Sequence, residues 1–468
     1  MRDRDRDTRV KIIRDKKIPQ LEMLTDPERT TAAFEEFFRR EYPERGLKVT
    51  TCDFGHAYHK PGKSCRMNFF LAGEDGAHQP FEQSFYAKIS ANGKERQSAT
   101  AGIPDSWPGC GFWKPVSHWP EMSMKLYAFP YDPEMPYLGQ LLEPDFIKRR
   151  VEENLDGFGL SSGWKCEEVI FHRAKYRNGK SCTLRYELRV AESTGYSRKI
   201  EFYGKTYASA LSLYVYKALQ KIYASPACVA GRLIIPAPIT HLDEANTMWQ
   251  RAWPGTGLNR IGEEKGWVDF LNADFVPKSA TMLAALHQVE IPDLVPGPAP
   301  TWVIKSARGD ASDIVQYLPE KETALEEITR TLEASTFGAE APLPQTTIHG
   351  AFKVAQILYR DGELAVVDFD AIACGDPLYD VAEFLASIIY LRISDDIPAA
   401  PIRESVALFL RRYQEQVPWP CERRRVAWYL VAFILAKIHA SLKRTRSMEP
   451  AEISRAFALV QEWLEQAR

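Results

Sequence analysis

The stretch that decides the fold is 347–385, TIHGAFKVAQILYRDGELAVVDFDAIACGDPLYDVAEFL. Two short apolar runs in it are separated by the turn Arg360-Asp361-Gly362, and an Asp-Gly pair between such runs is typical of a β-hairpin. The second run, 364–367, leads into an aspartate, and Pro377 marks the first turn of a following helix. We therefore predict a loop, a hairpin, a second loop and a helix, in that order.

Three polar residues, His349, Gln356 and Asp368, fall at one end of this predicted hairpin. Their order resembles the signature of the aminoglycoside phosphotransferases and choline kinases. That signature is an HGD loop, an Asn or Gln five residues after its Asp, a strand ending in IDF or IDW, then GDP and a YDLA-like helix start. The matching residues here are His349-Gly350, Gln356, Asp368-Phe369-Asp370, Gly375-Asp376-Pro377 and Asp380-Val381-Ala382. The resemblance covers roughly residues 279–447.

The resemblance implies a bilobal protein kinase-like fold of class α+β, with a β-rich N-lobe before a mainly helical C-lobe. It implies ATP and Mg²⁺ as cofactors, Asp368 as the principal Mg²⁺ ligand, Gln356 as a second oxygen ligand, and a structural role for Asp380. Magnesium suits such a site, because it binds carboxylate and carbonyl oxygens and needs only one or two protein ligands beside the phosphates. The alternative for Asp368 is a capping or salt-bridge role.

One residue departs from the signature, since Ala351 stands where the family has its catalytic aspartate. A general base typically contributes about 10²- to 10⁴-fold, whereas the loose transition state of phosphoryl transfer depends mostly on positioning and charge neutralisation. The alanine therefore weakens a kinase without forbidding one. Candidates for a compensating catalytic residue are His349, Lys353 and Asp370. For Lys353 the alternatives are contact with a phosphate or substrate and a solvated loop charge.

The first half of the chain contains an internal repeat. A shift of 117 residues aligns 27–88 with 144–205 without a gap and gives 15 identities in 62 positions, with GKSC as the densest block. Each copy has an amphipathic helical stretch, two strands joined by a Gly-containing turn, and a third strand ending in a lysine, Lys88 or Lys205. A kinase N-lobe begins in this way.

The resemblance implies that the second copy contacts the nucleotide. Arg177, Gly179 and Lys180 would lie in the loop above it, and Lys205 would contact the α- and β-phosphates. A lone Gly-containing turn equally suits an ordinary hairpin. The predicted helix after Lys205 contains no Asp or Glu, so the acid that usually orients this lysine in the family is absent there. Residues 250–253 would pair with the edge of the adenine through backbone groups.

These patterns divide the chain into four predicted segments. They are a charged N-terminal tail (1–22), a degenerate N-lobe-like repeat (23–140), a nucleotide-binding N-lobe (141–257) and a helical C-lobe with the catalytic and metal-binding loops (258–468). The first repeat would be a packing domain, a surface for homodimer formation or a substrate lid. The basic clusters 423–425 and 443–446 are predicted to be solvated helix ends, with contact to an anionic acceptor as the alternative.

Composition excludes some partners. The formal charge is −2, from 60 basic and 62 acidic side chains, so no global field favours nucleic acid or an anionic membrane. The longest apolar run, 426–436, is too short to span a bilayer and is predicted to be a buried core helix. The N-terminus has no apolar signal segment, which favours a cytoplasmic location. The eight scattered cysteines are predicted to be free, mostly buried thiols.

The leading hypothesis is an ATP- and Mg²⁺-dependent phosphotransferase that acts on a hydroxyl of a small molecule and has an atypical catalytic loop. The first alternative is a pseudokinase, a scaffold that binds nucleotide or ligand without phosphotransfer. A third class is nucleotidyl transfer, which suits metal ligands without the usual base. The sequence does not name the acceptor, because acceptor specificity depends on variable helices and loops.

Overall fold

The computed structural model describes residues 13–55, 57–91, 106–335, 344–443 and 448–467. The chain divides into two compact units. Unit 1 contains residues 1–150, 175–182 and 440–448, and unit 2 contains residues 151–174, 183–439 and 449–468. Residues 1–12 of the predicted tail and 444–446 of the second basic cluster lie outside the described residues.

Unit 1 is built on a short helix, α1 (Leu21–Leu24), a longer helix, α2 (Pro27–Glu41), and six strands. The Asp26 side chain caps α2 by accepting a hydrogen bond from the backbone N–H of Arg29. The strands are β1 (Lys48–Phe54), β2 (Tyr58–Lys60), β3 (Ser64–Glu74), β4 (Pro80–Ser90), β5 (Val116–Trp119) and β6 (Met124–Ala128). They form an antiparallel sheet in the order β1-β3-β4-β6-β5, with β2 paired to β3.

The core of unit 1 is rich in aromatic rings. Phe34, Phe37 and Phe38 recur at helical spacing on α2 and are all buried, so α2 presents one apolar face. Phe37 stacks on Trp119 with ring centroids 4.5 Å apart, and Phe34 meets Phe69 edge-on at 4.9 Å. Offset and edge-on ring contacts add to the free energy of burial. The sheet and α2 therefore bury a continuous core between them.

A second sheet repeats the order of the first. It follows α3 (Pro144–Glu152) and consists of β7 (Lys165–Arg177), β8 (Ser181–Ala191), β9 (Ser197–Tyr207), β10 (Pro238–Leu242) and β11 (Thr247–Arg251), with α4 (Leu211–Tyr223) and α5 (Pro226–Val229) between β9 and β10. Its order is β10-β11-β9-β8-β7. With the short β2 set aside, both sheets order their strands as first, second, third, fifth, fourth. The repeat in the sequence is therefore also a repeat of the sheet.

The rest of unit 2 is mainly helical. Its helices are α6 (Leu258–Lys265), α7 (Trp267–Asn272), α8 (Phe275–His287), α9 (Pro300–Val315), α10 (Glu322–Ala334), α11 (Pro377–Ile389), α12 (Leu391–Ser394), α13 (Ala399–Gln414), α14 (Arg423–Lys443) and α15 (Pro450–Ala467). Five short strands lie among them: β12 (Thr256–Gly257), β13 (Thr346–Ile348), β14 (Ile357–Arg360), β15 (Glu363–Val366) and β16 (Ala373–Gly375). The predicted fold class, α+β with the strands concentrated in the N-terminal part, is confirmed.

Two predictions about burial can be compared with the fold. Among the described residues, α14 is the one helix long and apolar enough to cross a membrane, and 67% of its apolar window is buried inside the fold, as in the predicted core helix. All eight cysteines are free thiols and five of them are buried, as predicted.

Candidate active site

The HGA loop begins directly after β13 with a buried histidine. The Nε2 of His349 lies 3.1 Å from the carbonyl oxygen of Val367, to which it donates, and the ring packs 4.6 Å from that of Phe369. Complete burial lowers the pKa of His349, so the ring is neutral at pH 7. Its Nδ1 has no hydrogen-bond partner among the described residues. His349, a predicted catalytic residue, thus faces the interior and ties the loop to the end of β15.

A glycine and a buried carboxylate fix the backbone of this loop. Gly350 has φ +73°, and a Cβ there would overlap the carbonyl oxygen of Ala371, so the position requires glycine. The carboxylate of Asp380, on α11, accepts hydrogen bonds from the N–H groups of His349 at 2.6 Å and Gly350 at 2.9 Å. It also lies 3.1 Å from Nε2 of His287. Asp380 thus has the structural position that the resemblance implies.

Asp376 holds the start of α11. Its side chain accepts a hydrogen bond from the N–H of Leu378 at 2.9 Å, and its other oxygen accepts from Nε of Arg425 at 2.6 Å and from the hydroxyl of Tyr429 at 2.9 Å. Arg425 is only 9% exposed. The prediction that 423–425 forms a solvated helix end is therefore wrong for Arg425, which pairs with a buried carboxylate that would be costly to leave unpaired.

The β14–β15 hairpin places Asp368 beside Gln356. The N–H of Val367 donates to the backbone oxygen of Gln356 at 2.9 Å, and Asp368 has φ +68°, a left-handed conformation that is uncommon outside glycine. The side-chain Oε1 of Gln356 is buried and has no hydrogen-bond partner among the described residues. An unpaired buried oxygen costs free energy unless a ligand accepts its lone pairs. One carboxylate and one such amide oxygen fit a hard divalent cation that also takes phosphate oxygens.

The described residues contain no richer metal site. The described part of the chain contains no group of three or more His, Cys, Asp or Glu side chains that could hold a metal ion. A cation at this site would therefore take its remaining ligands from water or from a bound phosphate, as Mg²⁺ does in sites that bind nucleotides.

Lys205, near the end of β9, contacts both aspartates of the DFD triplet. Its Nζ donates to Asp368 Oδ1 and, at 2.6 Å, to Asp370 Oδ1. The hydroxyl of Tyr207 donates to the same oxygen of Asp370 at 2.6 Å. The acid missing from the following helix is thus replaced by two acids 163 and 165 residues away. Three of the predicted residues, Lys205, Asp368 and Asp370, are thus in contact, and the backbone of the fourth, Gln356, pairs with Val367, which precedes Asp368.

Lys353 is ion-paired. Its Nζ lies 3.0 Å from Oε1 of Glu383 on α11, and Glu383 is almost completely buried. Burial raises the pKa of Glu383 to about 7, although the Lys353 ammonium opposes the rise. Glu383 was not among the site residues predicted from the sequence. The signal that would have found it is a lone carboxylate within the apolar run 381–389.

We expect Glu383→Gln to make the free energy of unfolding less dependent on pH. The folded protein keeps a proton on Glu383 up to about pH 7, whereas an unperturbed glutamate releases it near pH 4.5. The stability from this group is therefore complete below pH 4.5 and lost as the pH rises through 7. Relative to wild type, the variant should gain about 2 to 3 kcal/mol between pH 5 and pH 8. Urea unfolding at both pH values measures this, and an equal difference at both would contradict the raised pKa.

The glycine turn after β7 belongs to unit 1 and is held by Asp132. Oδ2 of Asp132 accepts hydrogen bonds from the N–H of Gly179 at 2.8 Å and from the hydroxyl of Tyr176 at 3.0 Å. We call this carboxylate-to-glycine contact the Asp–Gly clasp. The N–H of Gly179, in the loop predicted to lie above the nucleotide, is therefore bonded to a carboxylate. Arg177, Gly179 and Lys180 all lie in unit 1, and the other six predicted site residues lie in unit 2.

The first copy of the repeat has the same clasp. Oδ2 of Asp15 accepts from the N–H of Gly62 at 2.7 Å and lies 2.7 Å from Nε2 of His59. Asp15, His59 and Gly62 precede Asp132, Tyr176 and Gly179 by the same 117 residues. The alignment beginning at Pro27 misses these aspartates, although extending it upstream at the same offset finds them. The lysine of this copy, Lys88, lies over the ring of Tyr127 at 5.0 Å.

A cavity of about 600 Å³ lies at the end of the second sheet within unit 2. Its lining includes Arg185, Arg198, Lys199, Glu201, Tyr203 and 251–255. Tyr203 precedes Lys205 by two residues on β9, so the two side chains leave the same face about 7 Å apart. The cavity thus includes part of the segment 250–253 predicted to meet the nucleotide base, and its lining has four basic residues against one acidic residue.

Comparisons with known proteins bear on the family of this chain. Residues 185–414 match the model of the phosphotransferase enzyme family, APH. No curated protein sequence matched the chain. Similar solved structures include aminoglycoside phosphotransferase APH(4)-Ia, with 15% identity over 69% of this chain and 98% of that one and a TM-score of 0.42. Choline kinase from Cryptosporidium parvum Iowa II has 14% identity over 69% and 94%, with a TM-score of 0.43. Choline kinase LicA from Streptococcus pneumoniae has 12% identity over 69% of this chain and 98% of that one, with a TM-score of 0.39.

The matched segment defines the class of protein. It begins within β8, contains Lys205, the HGA loop, the DFD triplet and α11, and ends with α13. Residues 185–414 thus match the phosphotransferase enzyme family, in agreement with the family that the sequence resembles. The predicted family is confirmed. The structural likenesses, all with TM-scores below 0.5, carry no further weight.

Proposed function

We propose that this protein is an ATP- and Mg²⁺-dependent phosphotransferase that acts on a hydroxyl of a small molecule. The observation that carries the proposal is the contact of Lys205 with Asp368. The residue before Asp368 pairs with the backbone of Gln356, whose buried Oε1 has no partner among the described residues. A lysine, a carboxylate and an amide oxygen are the groups that a magnesium-bound triphosphate requires. The family match supports the reaction class, and this set of residues supports the cofactors.

Each of these residues would have a separate role in the reaction. Asp368 and Gln356 would hold Mg²⁺, which when bound supplies charge neutralisation to the phosphoryl group in transfer. Lys205 has a second carboxylate partner in Asp370. Asp370 would therefore keep the Lys205 ammonium oriented when Asp368 binds a cation. The buried contacts of Asp380 keep the HGA loop in one conformation. Positioning of this kind supplies most of the acceleration in phosphoryl transfer.

The cavity beside Tyr203 supports a place for the nucleoside. Its volume of about 600 Å³ falls within the range of small-molecule sites, roughly 300 to 1,000 Å³. It is lined by 251–255, which overlaps the segment expected to present backbone groups to the base. The basic lining would also favour an anionic ligand. The role of the first repeat, as packing domain, dimer surface or lid, stays a prediction.

Lys205→Met is expected to weaken Mg·ATP binding about tenfold or more, because a phosphate then loses a charged hydrogen bond worth about 1.5 to 3 kcal/mol. Titration calorimetry with Mg·ATP, repeated with ATP and EDTA, measures the affinity and its dependence on the metal. Lys88→Met is the matched control, since it removes the equivalent lysine of the first repeat. That variant should bind like wild type.

Two results would argue against the proposal. A wild-type protein that does not bind Mg·ATP would remove its basis. A protein that binds Mg·ATP, yet forms no phosphorylated product detectable by mass when incubated with alcohol-bearing metabolites, would be a pseudokinase of the kind predicted as the alternative.

A further inference from the structure

The carboxylate of Glu383 lies at the HGA loop. Glu383 follows Asp380 by three residues on α11, so the two side chains share one face of that helix. Asp380 bonds the N–H groups of His349 and Gly350, and Glu383 pairs with Lys353. One face of α11 thus carries two carboxylates that contact the loop on both sides of Ala351.

Only one of the two Glu383 carboxylate oxygens has a partner among the described residues. Oε1 meets Lys353 at 3.0 Å, whereas Oε2 is buried without a hydrogen-bond partner among the described residues. Glu383 is only 6% exposed. Buried carboxyl oxygens without a hydrogen-bond partner are rare in folded proteins, because burial removes the water that would otherwise solvate them. A structural salt bridge alone would leave this oxygen unexplained, whereas a ligand hydroxyl donating to it would satisfy it.

We propose that Glu383 is the catalytic base of this phosphotransferase and takes the place of the aspartate that Ala351 replaces. The assignment rests on the proposed function. Lys353, two residues from Ala351, holds Oε1 and leaves Oε2 to receive the proton. The family places its base on the loop itself, whereas here the carboxylate comes from the helix that supports the loop.

The step balances as a single displacement. The acceptor hydroxyl gives its proton to Oε2 of Glu383, and its oxygen forms a bond to the γ-phosphorus of ATP. The bond between the γ-phosphorus and the β,γ-bridging oxygen breaks, and ADP leaves with the electron pair. Glu383 then carries the proton as a neutral acid and releases it to solvent when the product leaves. Water can replace the acceptor hydroxyl, which makes ATP hydrolysis a probe that needs no identified acceptor.

The charged and titratable groups around Glu383 favour a base that works near neutral pH. Lys353 on the loop and Lys437 on α14 favour its ionised form, whereas Asp380 opposes it, and Tyr379 is near enough for Glu383 to affect its titration. Burial outweighs the two lysines and raises the pKa of Glu383 to about 7. A base with a pKa near the working pH is the most effective general base.

The test compares the rate of Mg·ATP hydrolysis from pH 5.5 to pH 9 in four proteins: wild type, Glu383→Gln, Ala351→Asp and the double variant. We expect the wild-type rate to rise with a midpoint near pH 7. The Glu383→Gln rate should be about 100-fold lower and should lose that midpoint, with the affinity for Mg·ATP unchanged. The double variant should recover activity, because it returns a carboxylate to the loop. Lys353→Met should move the wild-type midpoint to higher pH.

Glu404→Gln, on the exposed face of α13, is the matched control and should hydrolyse ATP like wild type. A Glu383→Gln protein as active as wild type would overturn the assignment. So would a wild type that binds Mg·ATP without hydrolysing it, whether or not Ala351→Asp is active. Failure of wild type to bind Mg·ATP is a different result, because it removes the proposed function itself and this assignment with it.

Discussion

Asp368→Asn is expected to lower the affinity for Mg·ATP about 100-fold and to abolish the dependence of nucleotide binding on Mg²⁺. Asparagine keeps the shape of the side chain and tolerates the left-handed φ of +68°, so the hairpin should fold normally. The neutral amide is a far weaker magnesium ligand than a carboxylate, and a loss of about 2.8 kcal/mol corresponds to 100-fold. Calorimetric titration of Mg·ATP into the purified variant measures both effects.

The chain offers a close control for this variant. Asp361, in the turn of the same hairpin, also has a left-handed φ, +48°, and its side chain is exposed. Asp361→Asn thus makes the same chemical change in the same backbone conformation, away from Gln356. It should bind Mg·ATP like wild type. If wild type and Asp368→Asn bind Mg·ATP with equal affinity, Asp368 is not a magnesium ligand. Its role would then be the salt bridge with Lys205.

Asp380→Ala should cost about 3 to 5 kcal/mol of stability in unit 2, the largest effect on folding expected here. The change leaves the N–H groups of His349 and Gly350 and the Nε2 of His287 without their shared acceptor. Each unsatisfied buried donor costs about 1 to 3 kcal/mol. Chemical unfolding followed by tryptophan fluorescence measures the loss.

Asp380→Asn is the informative companion, because the amide oxygen can still accept from one backbone N–H. Its free energy of unfolding should lie between those of wild type and the alanine variant. An Asp380→Ala protein within about 1 kcal/mol of wild type would show that β13 and α11 hold the loop without the carboxylate.

The local parts of the fold could be predicted from the sequence because short-range chemistry determines them. The Asp361-Gly362 pair predicted a tight turn, and both residues have the positive φ values that such a hairpin turn requires, +48° and +91°. The helix predicted to begin at Pro377 is α11, Pro377–Ile389. In both cases, backbone preference and apolar periodicity act over a few residues.

The partners of the site residues could not be predicted in this way. The contact between Lys205 and Asp368 joins residues 163 apart, and no local pattern reports such a distance. The helix that follows Lys205 lacks an acid, and the carboxylate partners of Lys205 lie in a distant segment of the chain. The burial of Arg425 and the pairing of Lys353 with Glu383 are likewise tertiary, because a charged residue at a helix end or in a loop has the same sequence pattern whether it is solvated or paired.

The Asp–Gly clasp occurs twice in this chain, once in each copy of the repeat, with an offset of 117 residues. The lysines of the two copies nevertheless have different surroundings. Lys205 now meets two aspartates, whereas Lys88 rests over a tyrosine ring. The carboxylate-to-glycine contact is thus the same in both copies although their lysines differ in partner, so the glycine turn does not depend on what the lysine contacts.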